Sequence, residues 1–130
     1  MVFEKVYDAL EPLGIPVVRS FYKGEAKSYV IVSVYDEKPF NVFDNSADDH
    51  LFNFKVTYWR DAHEKDLSFK ILKLLKENKF NFIYSADLFD EGYYGKALDF
   101  QKVISIKELE ESDKEEEGDA EKWWIKWLGF

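Results

Sequence analysis

The sequence predicts an α+β domain with a mixed, mainly antiparallel sheet of four to five strands, flanked by two helices and followed by an acidic-aromatic C-terminal tail. Three observations favour this class. Two segments carry apolar residues at helical spacing, several others have the alternation and aromatic content of strands, and the strands cluster along the chain. We place a single domain at residues 1–107 and an acidic, flexible tail with an aromatic end at residues 108–130.

Length and composition set limits on the function. A chain of 130 residues with 46% hydrophobic and 18% aromatic residues can bury one substantial core. Its net charge of -8 disfavours sequence-specific binding to nucleic acid, because phosphate binding needs a clustered basic surface. The absence of cysteine excludes a disulfide scaffold and a thiolate site, and fits a reducing compartment. We find no signal peptide or span of membrane length, and expect no membrane contact.

The first half of the chain reads as a helix followed by strands. Val2 to Leu13 has helical apolar spacing, and Gly14 can end the helix before a short extended segment at Val17 to Tyr22. Ser28 to Asp36 is the clearest strand, since its valines alternate with more polar residues. Glu37 to Asp49 then reads as a long loop.

The second half supplies a strand, a helix and a hairpin. His50 to Arg60 alternates as a strand, and Asp61 to Glu64 has the spacing of a capping box that would begin a helix reaching Asn78. Phe80 to Asp87, with Phe80, Phe82 and Tyr84 assigned to one face, and Ala97 to Ile106 then form a predicted hairpin.

Catalytic and metal-binding patterns are weak in this sequence. Asp48, Asp49 and His50 form one acidic-imidazole group, and Asp61 with His63 forms another, but an extended strand would place them at opposite ends of the sheet. A polar loop edge and a helix cap are the simpler interpretations. There is no glycine-rich phosphate loop, nucleophile elbow or paired-histidine zinc motif. We therefore predict no enzyme activity and no cofactor.

Two outlying segments are the candidate sites for partner binding. The 37–49 loop is either a disordered connector or a contact with a partner. Its apolar residues favour the contact, and the candidate residues there are Phe40, Val42, Phe43, Asp48 and Asp49. The tail ends in a dense aromatic block whose candidate residues are Trp123, Trp124, Trp127 and Phe130. This block can fold back on its own domain or dock on a neighbouring subunit, and the sequence leaves both alternatives open.

The segments follow one another in a specific order along residues 1–107. The order comprises the opening helix ending Leu13-Gly14-Ile15-Pro16-Val17, the strand Tyr29-Val30-Ile31-Val32, the run Asp48-Asp49-His50-Leu51-Phe52-Asn53-Phe54-Lys55-Val56-Thr57-Tyr58-Trp59, the helix Leu67 to Leu75, and the closing hairpin with Phe100. This pattern resembles the tail-terminator and tail-completion proteins of long-tailed, siphovirus-type bacteriophages. The resemblance leaves the tail at 108–130 unexplained.

The resemblance implies a structural function. It implies a ring, typically six-fold, on the head-proximal end of the tail tube, where it stops tube polymerisation and forms the surface for the head connector. The implied partners are other copies of the chain, the tail tube protein and a head-completion protein. The implied location is the virion tail, after assembly in the bacterial host cytoplasm. The alternative is a monomeric adaptor or inhibitor that docks through its aromatic tail.

Overall fold

The computed structural model describes residues 2–40, 49–105 and 107, and it confirms the α+β class with a five-stranded mixed sheet and two α-helices. The predicted acidic-aromatic tail at 108–130 lies outside the described residues. In chain order the elements are α1 (Val2–Leu10), β1 (Val17–Arg19), β2 (Ser28–Phe40), β3 (Asp49–Asp61), α2 (Ser68–Glu77), β4 (Asn81–Asp90) and β5 (Tyr93–Ser105).

The strands lie in the order β1-β2-β3-β5-β4. β1 runs parallel to β2, and every other neighbouring pair is antiparallel. The predicted hairpin is confirmed as β4–β5, with β5 inserted beside β3 and β4 left at one edge of the sheet. The other edge is the three-residue β1. The two edges are therefore very unequal in length.

The opening helix begins as predicted, and its last turn differs. α1 ends at Leu10, and Glu11–Leu13 forms a 3-10 turn that Gly14 closes in the left-handed conformation, with φ 72°. Pro12 explains the change, because a proline has no N–H to donate to the carbonyl of residue 8 and its ring crowds that carbonyl. Glycine adopts positive φ without steric cost. The end predicted at Gly14 is confirmed.

The core lies between the sheet and both helices, which share one face of the sheet. The aromatic centre is Phe54, whose ring stacks on Phe100 at 5.7 Å and meets Phe80 edge-on at 5.4 Å between centroids. We call the opposite side of the sheet the open face. The side chains buried on the helix side are Val2, Val6, Leu10, Val30, Val32, Phe54, Val56, Tyr58, Ile71, Leu75, Leu98, Phe100 and Ile104.

The predicted loop from Glu37 to Asp49 is wrong at both ends. β2 continues to Phe40 and β3 begins at Asp49, which pair in the last rung of their ladder. A β-bulge between Val34 and Asp36 shifts the alternation by one residue, so the sequence pattern appeared to stop at Asp36. Pro39 is tolerated because β1 pairs only with residues 30–32, which leaves that side of β2 unpaired at Pro39.

The predicted capping box is also wrong. Asp61 is the last residue of β3, where it pairs with Tyr93, and its Oδ1 accepts the N–H of His63 at 2.9 Å within a turn. α2 begins seven residues later, at Ser68, whose N–H donates to Asp66 Oδ1 at 2.9 Å. The acidic residue at the start of α2 is therefore Asp66. Asp61 does not take this position because pairing with β5 extends β3 through it.

The predicted faces of β4 need one correction. A second bulge separates Phe82 from Tyr84, so Phe82 faces the helices opposite Phe100 and Tyr84 faces the other way opposite Asp99. The strand then runs to a two-residue turn at Glu91 and Gly92, both with positive φ. This turn is shorter than the sequence indicated.

Candidate interaction surfaces

The first predicted site lies at the end of the β2–β3 hairpin. Phe40 pairs with Asp49 there, and the Phe40 side chain is 40% exposed. Beside this rung, Glu37 and the His50 ring are joined by a 3.0 Å contact between Oε1 and Nδ1. Hence two of the five predicted residues, Phe40 and Asp49, are paired on neighbouring strands. The other three, Val42, Phe43 and Asp48, lie outside the described residues.

The second predicted site lies entirely outside the part of the chain that the structure describes. It consists of Trp123, Trp124, Trp127 and Phe130. Its role stays a prediction.

A surface that sequence reasoning missed is the edge strand β4. Nearly every residue of this strand is exposed, and its large apolar side chains include Ile83, Tyr84 and Phe89, which are 48%, 57% and 65% exposed. The bulge at residue 83 distributes these side chains over both faces of the strand. Two features together define this surface. Residues 82–89 are rich in apolar side chains, and their strand has only one neighbouring strand in the sheet. The second feature cannot be read from the sequence.

A shallow cleft opens between the start of α2 and the β4–β5 hairpin. Its volume is about 540 Å³, and aromatic and charged side chains line it together. The Arg60 guanidinium lies 5.1 Å from the centroid of the Tyr94 ring, and Lys96 Nζ lies 3.5 Å from Asp87 Oδ1. Arg60 Nε also lies 4.0 Å from Asp66 Oδ1, so the cleft presents aromatic rings beside paired charges.

Asp66 lines this cleft, and its pKa favours the ionised carboxylate. Partial burial raises its pKa, but the backbone N–H and hydroxyl of Ser68, together with Arg60, outweigh burial and leave the pKa below its ordinary value. This carboxylate is therefore charged near neutral pH and stabilises the N-terminus of α2.

The open face contains an enclosed carboxylate. Asp99 on β5, the strand between β3 and the edge strand β4, is only 2% exposed, and neither carboxylate oxygen has a hydrogen bond of ordinary geometry. The pKa of the Tyr84 phenol is nonetheless raised, chiefly by hydrogen bonding to Asp99 and by its charge. The pKa of Tyr35 is raised by burial first and then by the same carboxylate.

No group of three or more metal-binding side chains is found within residues 2–40 and 49–105. Asp49 and Asp61, which belonged to the two acidic groups considered from the sequence, stand at opposite ends of β3. In the same part of the chain, neither helix has the length and apolar character needed to cross a bilayer.

Comparison with models of known protein families gives no match to this chain. Comparison with curated protein sequences likewise gives none.

Proposed function

We propose that the chain is a structural tail-completion, or tail-terminator, protein of a long-tailed bacteriophage. In this role copies assemble into a ring, expected to be a hexamer, on the head-proximal end of the tail tube. The ring ends tube polymerisation and offers a surface to the head-completion or connector protein. The protein acts by surface complementarity, without bond-making, and belongs to the virion tail after assembly in the host cytoplasm.

The observation that carries self-association is the edge strand β4. Natural proteins usually protect a long edge strand with charge, proline or a covering element, because its free backbone groups pair readily with another chain. β4 is ten residues long and exposes Ile83, Tyr84 and Phe89. Its charged side chains are Asp87 and Asp90, both near its end. A second copy of the chain that covers this edge would bury the apolar side chains and satisfy the backbone.

The rest of the ring proposal is supported by the order of segments that resembles the tail-terminator proteins. In that reading the β2–β3 hairpin end, with Phe40 and Asp49, contacts the tail tube protein or the next copy. This hairpin end is partly exposed, and it lies at the opposite end of β3 from the β4–β5 turn. It can therefore make a contact separate from the β4 edge. Two different surfaces on one subunit are what a ring on a tube requires.

The experiment is the mass of the full chain in solution, measured by size-exclusion chromatography with light scattering over a wide concentration range. We expect a species larger than a monomer, and we expect Ile83→Lys to reduce its mass because a lysine on an edge strand opposes strand pairing. Phe69→Lys is the matched control. Phe69 is 77% exposed and lies on α2, so this substitution adds a lysine without changing the edge strand itself and should leave the mass unchanged.

The tube contact is tested by adding the tail tube protein encoded beside this chain and examining the mixture by electron microscopy. Rings on one end of the tubes, and tubes of limited length, are the expected result. A chain that stays monomeric at every concentration, with tube protein present, would contradict the proposal. So would a gene position far from the head-completion and major tail protein genes.

A further inference from the structure

Among the described strands, β4 offers the longest edge without a neighbour, ten residues with no proline and no lysine. The opposite edge of the sheet consists of the three-residue β1 and, beyond it, the end of β2. There the bulge between Val34 and Asp36 and the proline at residue 39 interrupt the line of backbone donors, and Lys38 adds charge. The strand of a second copy that is best able to pair with β4 is therefore its own β4.

Every second residue of β4 directs its backbone groups away from β5. The two-residue turn that joins the strands makes Asp90 and Tyr93 a hydrogen-bonded pair. Because hydrogen-bonded and non-hydrogen-bonded pairs alternate along an antiparallel ladder, the N–H and C=O groups that point away from β5 belong to Ser85, Asp87 and Phe89. The bulge between residues 82 and 84 ends this regular run. Residues 84–90 can therefore accept a second strand in regular register.

One symmetric register suits this segment best. Since odd-numbered residues must face odd-numbered residues to exchange hydrogen bonds, the two-fold axis of a symmetric pair passes through one residue. An axis at Asp87 would set this carboxylate opposite its own copy, which is unfavourable. An axis at Ser85 would run into the bulge, and an axis at Leu88 would bring Asp90 and the turn into the ladder. An axis at Ala86 avoids all three problems.

We propose that β4 of one copy pairs antiparallel with β4 of a second copy, about a two-fold axis at Ala86. Ser85 of each copy then lies opposite Asp87 of the other, on the face of the sheet that carries the helices, so that a hydroxyl donor meets each carboxylate. Ala86 meets its own copy in a non-hydrogen-bonded pair, where Cα atoms approach to about 4.5 Å. The small side chain of alanine suits this closest approach.

The pair covers the apolar side chains that β4 exposes. On the open face, Tyr84 of one copy lies beside Leu88 of the other, and two such contacts flank the alanines at the axis. Near each end, Phe89 of one copy reaches the bulge that carries Ile83 of the other. Ile83, Tyr84 and Phe89 are 48%, 57% and 65% exposed in the single chain, so pairing removes apolar surface from water.

This inference deepens the self-association proposed above and rests on β4 being its surface. The pair is closed, because the two-fold axis uses the single β4 of each copy once. It describes the chain in solution, before a tail tube is present. The β2–β3 hairpin end lies at the opposite end of β3 from the β4–β5 turn, so it remains available in both copies for further contacts.

Cross-linking through introduced cysteines tests the pairing, because the chain contains no cysteine of its own. Ala86→Cys should give a disulfide-linked dimer under mild oxidation, since the paired Cα atoms lie within the range that a disulfide spans. Phe69→Cys, at a position of α2 that is 77% exposed, is the matched control for random collision. We expect Ala86→Cys to cross-link at least about ten-fold faster than this control, as measured by non-reducing electrophoresis.

Two further variants fix the register. Tyr84→Cys mixed with Leu88→Cys should form the mixed dimer, identified by its intact mass, because the two residues lie opposite each other across the interface. Either variant alone should cross-link only at the collision rate of the control. In that case each cysteine lies about 13 Å along the strand from its counterpart, beyond the reach of a disulfide.

The outcomes separate this pairing from the ring proposal. A parent chain larger than a monomer, with Ala86→Cys no faster than Phe69→Cys, would overturn the two-fold pairing and leave self-association in place. Tyr84→Cys that cross-links alone as fast as in the mixture would overturn the register. A parent chain that stays monomeric at every concentration would overturn both proposals. Fast cross-linking of Ala86→Cys together with the mixed dimer would support the pairing, whether or not rings form on the tube.

Discussion

The hydroxyl of Tyr58 donates a 3.0 Å hydrogen bond to the backbone carbonyl of Lys65, from the buried face of β3 to the segment that leads into α2. The same oxygen accepts the backbone N–H of Leu67 at 3.2 Å. Tyr58 is 1% exposed, so its ring is part of the core while its hydroxyl fixes the connection between a strand and a helix. This oxygen thus joins the buried face of β3 to the segment that leads into α2.

Tyr58→Phe should lower the free energy of unfolding by about 1–3 kcal/mol, because a partly buried carbonyl and N–H lose their shared partner while the ring is kept. Urea unfolding followed by circular dichroism measures the change. Tyr94→Phe is the matched control, since Tyr94 is 46% exposed and its described contacts are made by the ring. A Tyr58→Phe variant as stable as the parent would contradict the role of the hydroxyl.

Alkaline pH should destabilise the protein partly through the same residue. Burial raises the pKa of Tyr58 above its ordinary value of 10.0, although the Leu67 N–H partly opposes the shift. A raised pKa in the folded state means that the stabilisation is complete below about pH 10 and is lost as pH rises through the folded pKa. Unfolding midpoints measured from pH 8 to 11 should fall less steeply in Tyr58→Phe than in the parent. Equal slopes would contradict the prediction.

Asp66 gives the opposite dependence at acid pH. Its folded pKa is lowered overall, so its contribution is present above the unfolded pKa of about 3.9 and is lost as pH falls through the lower folded value. Asp66→Ala should cost about 1 kcal/mol at pH 7, because the N–H of Ser68 loses its acceptor. The difference from the parent should shrink below pH 4 in urea titrations.

Asp87→Ala is the control for Asp66. The Asp87 side chain is 89% exposed and forms only a surface pair with Lys96. Such pairs contribute little, so this variant should stay within about 0.5 kcal/mol of the parent at pH 7. A loss in Asp87→Ala as large as that in Asp66→Ala would assign the effect to general surface charge.

The parts of the fold that could be predicted from the sequence are those governed by local pattern. The helical spacing from Val2, the alternation around Val56 and the glycine after Leu13 each follow from side-chain periodicity or backbone sterics, and each is confirmed. The misplaced boundaries come from non-local pairing. β2 extends to Phe40 only because β3 pairs with it across a bulge, and Asp61 is a strand residue only because Tyr93 lies beside it.

The exposed surfaces depend on non-local strand pairing even more than the strand boundaries do. Nothing in the residues 82–89 indicates that their strand has one neighbour, because that follows from β5 returning between β3 and β4. Asp99 was not singled out, since one acid among the residues of a strand gives no sign that its carboxylate will be buried. Phe40 was selected as an apolar residue in polar surroundings; it lies on β2 and is 40% exposed, and its role in partner binding stays a prediction.

The close approach of Gly95 to Trp59 gives a last prediction. These residues are paired between β5 and β3, and a Cβ built at Gly95 would lie 2.7 Å from Cε3 of the Trp59 ring. An aromatic ring that covers a strand glycine compensates for the missing side chain. Gly95→Ala should therefore destabilise the domain by about 1–3 kcal/mol, through overpacking against the indole. Urea unfolding measures the loss.

Trp59→Leu provides the test of cause, because it removes the ring that the new methyl group would strike. In that background Gly95→Ala should cost less than about 0.5 kcal/mol, since alanine is otherwise preferred to glycine within a strand. The double-mutant cycle should thus give a coupling of more than about 1 kcal/mol between the two positions. Additive losses would mean that glycine is needed at residue 95 for a backbone reason, independent of the tryptophan that covers it.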